Sequence, residues 1–174
     1  MGANDVIERA GMADAPRVQA IIADAARWLL DHGIKQWEWF LTPEGHRHIE
    51  RRIEEHEVYL LVRAGEPDGA IATVTVQWSD REFWGDRGED GAAVYVHGLA
   101  VRRAYAGRGV GTQLIDFAAE RARQCGRRFV RLDCMASNAK LRAFYAGLGF
   151  DLLETRCVHG RFESALLERP IHAD

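Results

Sequence analysis

The stretch that decides the fold is LAVRRAYAGRGVGTQLI, residues 99–115. It begins at the end of a nearly continuous apolar run, AAVYVHGLAV at residues 92–101, which predicts a central strand buried on both faces. It ends inside a segment, about residues 109–125, whose apolar side chains recur at helical spacing. Gly107, Gly109 and Gly111 stand at the junction. The sequence therefore predicts a strand, a glycine turn and a helix in succession.

A glycine turn at the start of a helix is typical of a phosphate-binding loop. Glycine lets the backbone approach a ligand, the first helical turn has free N–H groups, and the helix dipole favours an anion. A plain glycine-rich turn is the structural alternative. A Walker loop does not fit, because Thr112 and Gln113 follow Gly111 directly. A dinucleotide-binding fingerprint would have glycine at position 112, although Asp133 stands where its acidic residue would be expected.

Short strands and helices are predicted on either side of this stretch. Helices are predicted from Asp14 to Gly33, from Thr42 onward and from Asn138 to Leu148. The acidic, glycine-containing residues 78–91 are predicted to be a loop. Strands are predicted at residues 5–10, 58–63, 72–76, 92–101, 129–135, 152–158 and 162–168. The order indicates a mixed α/β fold, a twisted sheet of about seven strands flanked by about four helices, in one domain over residues 1–174.

Composition argues against several classes of protein. Of the 174 residues, 47% are hydrophobic and 28% are charged, and the formal net charge is −3. There is no basic tract for neutralising phosphates and no apolar stretch near the roughly 20 residues of a membrane span. Residues 1–9 lack the features of a signal peptide, and the three cysteines have no CxxC spacing. We therefore expect a cytoplasmic protein with reduced thiols and with no nucleic-acid or membrane partner.

Two segments together resemble the signatures of the GCN5-related N-acetyltransferase (GNAT) family. Residues 99–115 resemble the first signature, which is a strand, a turn of the form Gln/Arg-x-x-Gly-x-Gly/Ala and a helix. SNAKLRAFYAGLGF, residues 137–150, resembles the second, in which Asn, Phe-Tyr and Gly-Phe recur. The segments come in the expected order with a strand between them, and the flanking pattern extends the resemblance over nearly the whole chain. One departure is Ala106, which stands at the usual Gln/Arg position.

The resemblance implies an acetyl-CoA site between two parting central strands. The pantetheine arm would pair with the backbone of Leu99, Ala100 and Val101, like an added strand. Asn138 and Phe144 would contact the cofactor from the second signature. The pyrophosphate would meet the backbone N–H groups of Ala106, Gly107, Arg108, Gly109, Val110, Gly111 and Thr112.

Acetyl transfer needs a donor for the oxyanion, a route for the amine proton and help for the leaving thiolate. The resemblance assigns the oxyanion to a backbone N–H of residues 95–99. It places Tyr145 near the thioester sulfur as the general acid, which donates a proton or a hydrogen bond to the leaving thiolate. The structural alternative is that Tyr145 is a core residue of its helix.

The proton route has several candidates. The run YVHGLAV resembles arylalkylamine acetyltransferases, which have a histidine at the position of His97, with Tyr95 replacing a second one. His97 is the candidate base, because imidazole suits proton removal at neutral pH. Asp133 and a water chain are alternatives for the base, and a hydrogen-bonded core histidine is the structural alternative for His97.

Weaker signals lie outside these motifs. Acidic residues 80–90 either attract a cationic amine or are merely solvated. His46, His48 and His56 do not predict a metal site, because the first two do not share a helix face and no carboxylate or cysteine completes a set. Four aromatic residues either line the acceptor pocket, as in the family, or pack in the core: Trp28, Trp37, Trp39 and Phe40.

The sequence thus predicts an N-acetyltransferase that moves the acetyl group of acetyl-CoA to a primary amine of a small molecule or peptide. The amine would attack acetyl-CoA directly, in a ternary complex of the protein with both substrates. The resemblance is compatible with a homodimer. Two rival hypotheses remain: a non-catalytic acetyl-CoA-binding sensor on the same fold, and a nucleotide-binding protein that uses the glycine loop for ATP or NAD.

Overall fold

The structure is a computed structural model that describes residues 5–65, 69–158, 160 and 162–171. The predicted mixed α/β fold is confirmed, with seven strands in one sheet of order β1-β2-β3-β4-β5-β7-β6. The strands are β1 Asp5–Arg9, β2 Glu57–Arg63, β3 Ala70–Gln77, β4 Ala93–Val101, β5 Phe129–Met135, β6 Asp151–Val158 and β7 Phe162–Pro170.

Five α-helices are present in the described residues, where the sequence predicted about four. They are α1 Ala15–Asp31, α2 Pro43–Glu55, α3 Arg81–Trp84, α4 Val110–Gln124 and α5 Ala139–Gly147. The additional helix is α3, which lies in residues 78–91 and is followed by a 3-10 helix, Gly85–Glu89. This segment is therefore folded, although its composition predicted a loop. None of the described helices is long and apolar enough to cross a membrane.

The chain divides into two compact units, which are described separately. Unit 1 comprises residues 1–76 and 98–114, and it contains β1 to β3 with α1 and α2. Thr42 begins α2 as predicted, because its Oγ1 accepts a hydrogen bond from the Gly45 N–H at 3.2 Å. Asp14 precedes α1, but its carboxylate accepts from Gly11 N–H instead of capping the helix. The buried core joins both helices to the strands through Val18, Ile21, Ile22, Ile49, Ile53, Val58 and Leu60.

Unit 2 comprises residues 77–97 and 115–174. In its part of the sheet, β7 pairs antiparallel with both β5 and β6, and β5 pairs parallel with the first half of β4. The parallel register runs from Ala93 opposite Phe129 to Val96 opposite Leu132, and it ends there. The next residues of the two strands are His97 and Asp133.

The regular alternation of side chains along β4 is interrupted just after His97. Gly98 has φ of 56°, in the left-handed region, where an extended strand residue would have a negative φ. Regular two-residue alternation would assign His97 and Leu99 to one side of the strand, but it does not extend across Gly98.

Candidate active site

The glycine loop of unit 1 has the backbone geometry of a ligand-binding turn. A 3-10 helix, Arg103–Tyr105, follows β4, and the chain then turns through Gly107 and Gly109, with φ of 74° and 77°. At both glycines an added Cβ would meet no heavy atom of the described residues within 4 Å, apart from the glycine itself and its two chain neighbours. The turn therefore leaves open space beside its backbone, as a bound phosphate requires.

The first turn of α4 supplies the N–H donors. Its first regular hydrogen bond is donated by Gln113 N–H to the Gly109 carbonyl oxygen at 3.1 Å. The helix itself therefore provides no partner for the N–H groups of Gly109, Val110, Gly111 and Thr112. Ala106 differs from these four, because its N–H donates to the Arg103 carbonyl oxygen at 3.2 Å. Of the backbone N–H groups that the resemblance assigns to the pyrophosphate, that of Ala106 is therefore already occupied in this conformation.

Hydrogen bonds hold the start of this loop in place. Arg102 donates from its backbone N–H to Ile71 and from Nε to the Ala70 carbonyl oxygen, at 2.8 and 2.7 Å. Arg103 N–H donates to the Asp24 carboxylate at 2.6 Å, which connects the loop to α1. Such a loop enters ligand binding already ordered, so less entropy is lost on binding.

The side chains around the loop differ in their exposure to solvent. Arg108 is exposed, and its guanidinium carbon lies 5.8 Å from the ring centre of Tyr105. Ala100 is buried in β4, whereas Leu99 and Val101 are half-buried. All three predicted pantetheine contacts therefore lie at the strand end that leads into the loop.

The ring of His97, in unit 2, lies between two carboxylates. Its Nε2 is 3.0 Å from Asp80 Oδ2, and its Nδ1 is 3.5 Å from Asp133 Oδ1. The side chains of His97, Asp80 and Asp133 are only 8%, 4% and 14% exposed. Ser164, fully buried on β7, donates from Oγ to Asp133 Oδ2 at 2.9 Å. Four side chains from four segments thus form one buried polar cluster.

The side chain of Asp133 lies beside the His97 ring. Strand alternation did not tell which side of β5 faces the chemistry, and Asp133 is found on the same side as His97. Asp80 and Ser164 were not singled out as site residues. Asp80 stands before a short helix, as capping residues do, and it accepts from Phe83 N–H at 3.1 Å. That signal was available in the sequence, whereas Ser164 had none.

The segment that carries Asp80 is fixed by a buried arginine on β5. Arg131 donates to both carboxylate oxygens of Asp90 and, through Nε, to Glu168 at 2.7 Å. It also donates to the Arg87 carbonyl oxygen and to Tyr95 Oη, at 2.7 and 2.8 Å. Burial alone would lower the pKa of Arg131, but these hydrogen bonds outweigh burial and raise it. The charge of Arg131 is therefore a fixed part of the interior.

Tyr145 is buried on α5, next to the polar cluster. Its ring contacts those of Phe144 and Phe150, with centres 5.2 and 5.7 Å apart. Burial, with the nearby Cys134 and Asp133, raises the pKa of its phenol. Burial and the charge of Asp133 likewise raise the pKa of the Cys134 thiol to about 11. A phenol with a raised pKa keeps its proton and is better suited to donating a hydrogen bond than to releasing the proton.

The other residues of the second signature have local roles as well. Asn138 caps α5, because its Oδ1 accepts from Leu141 N–H at 3.1 Å. Its side-chain amide N–H groups are not used by that cap. Phe144 is 39% exposed, which makes it accessible to a ligand.

The aromatic and histidine residues of unit 1 are found near one another. The ring centre of Phe40 lies 5.8 Å from that of Trp37, in an edge contact, and 5.4 Å from that of Trp39. His48 lies 5.2 Å from the Trp39 ring centre. Trp28 stacks instead with His32 and lies under the Arg103 guanidinium at 3.9 Å. In the described part of the chain, no three His, Cys, Asp or Glu side chains are arranged to hold a metal ion.

Comparison with known proteins assigns the class. Residues 21–150 match the acetyltransferase (GNAT) family, and the chain belongs to that family. It is 30% identical to the uncharacterized N-acetyltransferase YesJ of Bacillus subtilis (strain 168), over 80% of this chain and 78% of that protein. This confirms the resemblance found in the two sequence signatures and makes the chain an acetyltransferase homologue.

Solved structures agree with the fold. A GNAT-family acetyltransferase from Listeria monocytogenes 4b F2365 superposes with a TM-score of 0.78 at 27% identity, covering 95% of this chain and 94% of that one. The PaiA N-acetyltransferase of Thermoplasma acidophilum, solved in complex with coenzyme A, has a TM-score of 0.73 at 12% identity. That match covers 95% of this chain and 98% of the other, and at this identity it bears on the fold alone.

Proposed function

We propose that this chain is an acetyl-CoA-dependent N-acetyltransferase that acts on a primary amine. Membership of the GNAT family supports the reaction class. The proposed catalytic role of His97 rests on one observation: its ring lies buried between Asp80 and Asp133. An imidazole held between two carboxylates has a fixed orientation, and one of its ring nitrogens can accept the proton that the attacking amine releases.

The glycine loop fits the diphosphate of the co-substrate. The backbone N–H groups of Gly109 to Thr112 lie at the start of α4, a 15-residue helix. The dipole of this helix favours an anion at that end. Gly107 and Arg108 complete the proposed donor set, and the exposed Arg108 adds charge attraction. Leu99, Ala100 and Val101 are proposed to pair with the pantetheine arm, and Asn138 and Phe144 to contact the cofactor.

The proposed reaction is a direct displacement. The amine nitrogen attacks the thioester carbonyl carbon, a C–N bond forms, and the C–S bond breaks as the tetrahedral oxyanion collapses. The amine loses one proton to His97, the proposed base. The products are an N-acetyl amide and coenzyme A, whose thiolate finally takes up a proton.

Tyr145 is proposed to assist the leaving thiolate. Its raised pKa makes full proton transfer to sulfur less favourable, so the phenol acts as a hydrogen-bond donor to the developing charge. The surrounding rings of Phe144 and Phe150 exclude water from the phenol, which strengthens that hydrogen bond.

The cellular setting belongs to the same proposal. We expect one acetyltransferase domain over residues 1–174, located in the cytoplasm, and the family resemblance is compatible with a homodimer. Size-exclusion chromatography with light scattering tests the assembly, because a monomer and a dimer of a 19.6 kDa chain are readily separated.

The experiment that tests the function has two parts. Thermal unfolding is compared with acetyl-CoA, ATP and NAD, because a ligand raises the unfolding temperature only if it binds the folded state. Release of free thiol from acetyl-CoA is then followed across a panel of primary amines. We expect stabilisation by acetyl-CoA and amine-dependent thiol release. Stabilisation by ATP or NAD alone would indicate a nucleotide-binding protein, and acetyl-CoA binding without thiol release would indicate a sensor.

A further inference from the structure

We infer that Asp80 is a positioning residue that fixes the ring tautomer of His97. The inference deepens the proposed function, because it specifies which ring nitrogen receives the amine proton. It starts from the carboxylate of Asp80, whose side chain is 4% exposed and comes from a segment that the motifs do not cover.

The two oxygens of Asp80 have different partners. Oδ1 accepts from Phe83 N–H at 3.1 Å, and Oδ2 lies 3.0 Å from His97 Nε2. The backbone of Asp80 is held as well, because its N–H donates to the Gly88 carbonyl oxygen and its own carbonyl accepts from Trp84 N–H. The carboxylate therefore has a fixed position and one oxygen left for the imidazole.

A neutral imidazole has one N–H and one lone pair. Both ring nitrogens face a carboxylate oxygen, but Asp80 at 3.0 Å is nearer than Asp133 at 3.5 Å. The nearer oxygen selects the tautomer with its proton on Nε2, because it would repel a lone pair more strongly and accepts the better hydrogen bond. The lone pair is then on Nδ1, which becomes the basic nitrogen. Asp80 thus plays the part that a carboxylate plays behind the histidine of a catalytic triad.

The other side of the ring is arranged to receive the proton. Asp133 Oδ1 lies 3.5 Å from Nδ1, a distance too long for a strong hydrogen bond with a neutral ring. Ser164 donates to Oδ2 of Asp133 at 2.9 Å, and Oδ1 is the oxygen that lies 3.5 Å from the ring. Once Nδ1 carries a proton, its N–H donates to Asp133 Oδ1. Phe83 also contacts the ring, with centres 5.7 Å apart, but it adds no charge.

The test separates positioning from helix capping. Asp80→Asn keeps the size and the cap, because Asn caps helices as well as Asp does, but its amide N–H group donates to Nε2 and places the ring proton on Nδ1. Asp80→Ser also keeps a cap but cannot reach the ring. Asp86→Asn is the matched control, because Asp86 belongs to the same segment and its side chain is fully exposed.

The direct readout is the nitrogen-15 NMR spectrum of the His97 ring, recorded at a pH where the ring is neutral and assigned with His97→Gln. We expect the Nε2–H tautomer in the wild type and Asp86→Asn, and the Nδ1–H tautomer in Asp80→Asn. In steady-state assays, Asp80→Asn and Asp80→Ser should lower kcat about a hundredfold while the KM for acetyl-CoA changes less than about twofold.

The outcomes distinguish this inference from the proposed function. The same tautomer in wild type and Asp80→Asn, or unchanged kcat in both Asp80 variants of an active enzyme, overturns the role of Asp80. A wild-type protein that has the Nε2–H tautomer but transfers no acetyl group contradicts the proposed function and leaves the ring assignment standing.

Discussion

The guanidinium of Arg131 donates to both oxygens of Asp90, at 3.1 and 3.0 Å, and joins β5 to the end of the segment that begins with Asp80. The side chain of Arg131 is 4% exposed, and that of Glu168, its other carboxylate partner, is 16% exposed. The segment is thus anchored by charge at one end, while its other end supplies the carboxylate that contacts His97.

The first prediction concerns this anchor. Arg131→Met should lower the free energy of unfolding by about 3 kcal/mol, because it leaves the mostly buried Glu168 carboxylate without its cationic partner. Asp90 contributes less to this loss, because its side chain is 35% exposed and can be solvated. Urea denaturation measures the change. Arg123→Met is the matched control. Arg123 also makes a bidentate contact, with the two carboxylate oxygens of Glu120, but both side chains are nearly half exposed. That pair should contribute less than about 1 kcal/mol. Equal losses in the two variants would contradict an anchoring role.

The second prediction concerns Tyr145. Tyr145→Phe keeps the ring and its contacts with Phe144 and Phe150 but removes the hydroxyl. We expect kcat to decrease about tenfold to a hundredfold, with little change in the dissociation constant of acetyl-CoA measured by calorimetry. Tyr59→Phe is the control, because Tyr59 is buried in β2 and its hydroxyl donates to Glu57. A Tyr145→Phe enzyme with wild-type kcat would remove Tyr145 from the mechanism.

The third prediction concerns the glycine loop. Gly109→Ala places a methyl group beside the proposed phosphate donors, in space that is otherwise open. The dissociation constant of acetyl-CoA should rise about tenfold, as for the loss of one charge-assisted hydrogen bond. Gly126→Ala is the control, because Gly126 has a similar φ, 67° against 77°, and is equally open. Both variants carry similar backbone strain, about 1 kcal/mol, so strain alone would affect them equally. Equal affinity of the two variants for acetyl-CoA would therefore contradict the loop's role in binding.

The fourth prediction concerns stability at alkaline pH. The pKa of the Cys134 thiol is raised from 9.0 to about 11, first by burial and then by Asp133. The folded protein therefore holds this proton more tightly than the unfolded chain does. The resulting stabilisation is fully present below pH 9 and is lost as the pH rises from 9 to 11.

Cys134→Ala tests this dependence. The variant is expected to be less stable at every pH because it loses buried volume, but its free energy of unfolding should fall by about 1–2 kcal/mol less across that window than the wild type's. Denaturation at a series of pH values measures the slope. Cys125→Ala, at an exposed cysteine, should keep the wild-type slope. An identical slope in all three proteins would show that the buried thiol is not linked to folding.

Much of the fold could be predicted because it depends on local pattern. The strand at residues 129–135 has the predicted bounds, since buried apolar residues at its core mark it clearly. Segment 78–91 was wrongly predicted to be a loop, because its many charges suggested solvation. What folds it is Arg131, 41 residues away from Asp90 in sequence, and no local pattern carries that information.

The candidate site was predicted only in part for the same reason. Tyr145, His97 and the glycines belong to short motifs that can be read directly from the sequence. Asp80 is 17 residues from His97, and Ser164 is 31 residues from Asp133, so their contacts depend on how the strands are ordered in the sheet. The side of β5 that Asp133 faces was likewise fixed by strand pairing, which alternation alone does not define.

A single-turnover experiment tests the central claim most directly. Protein saturated with acetyl-CoA is mixed with a reactive primary amine, and the amide and free coenzyme A are quantified by mass spectrometry in the wild type, His97→Gln and the control His46→Gln. We predict equal amounts of amide and coenzyme A, formed about a hundredfold more slowly in His97→Gln alone. Amide formation by His97→Gln at the wild-type rate, or no amide from any amine tested, would contradict the account.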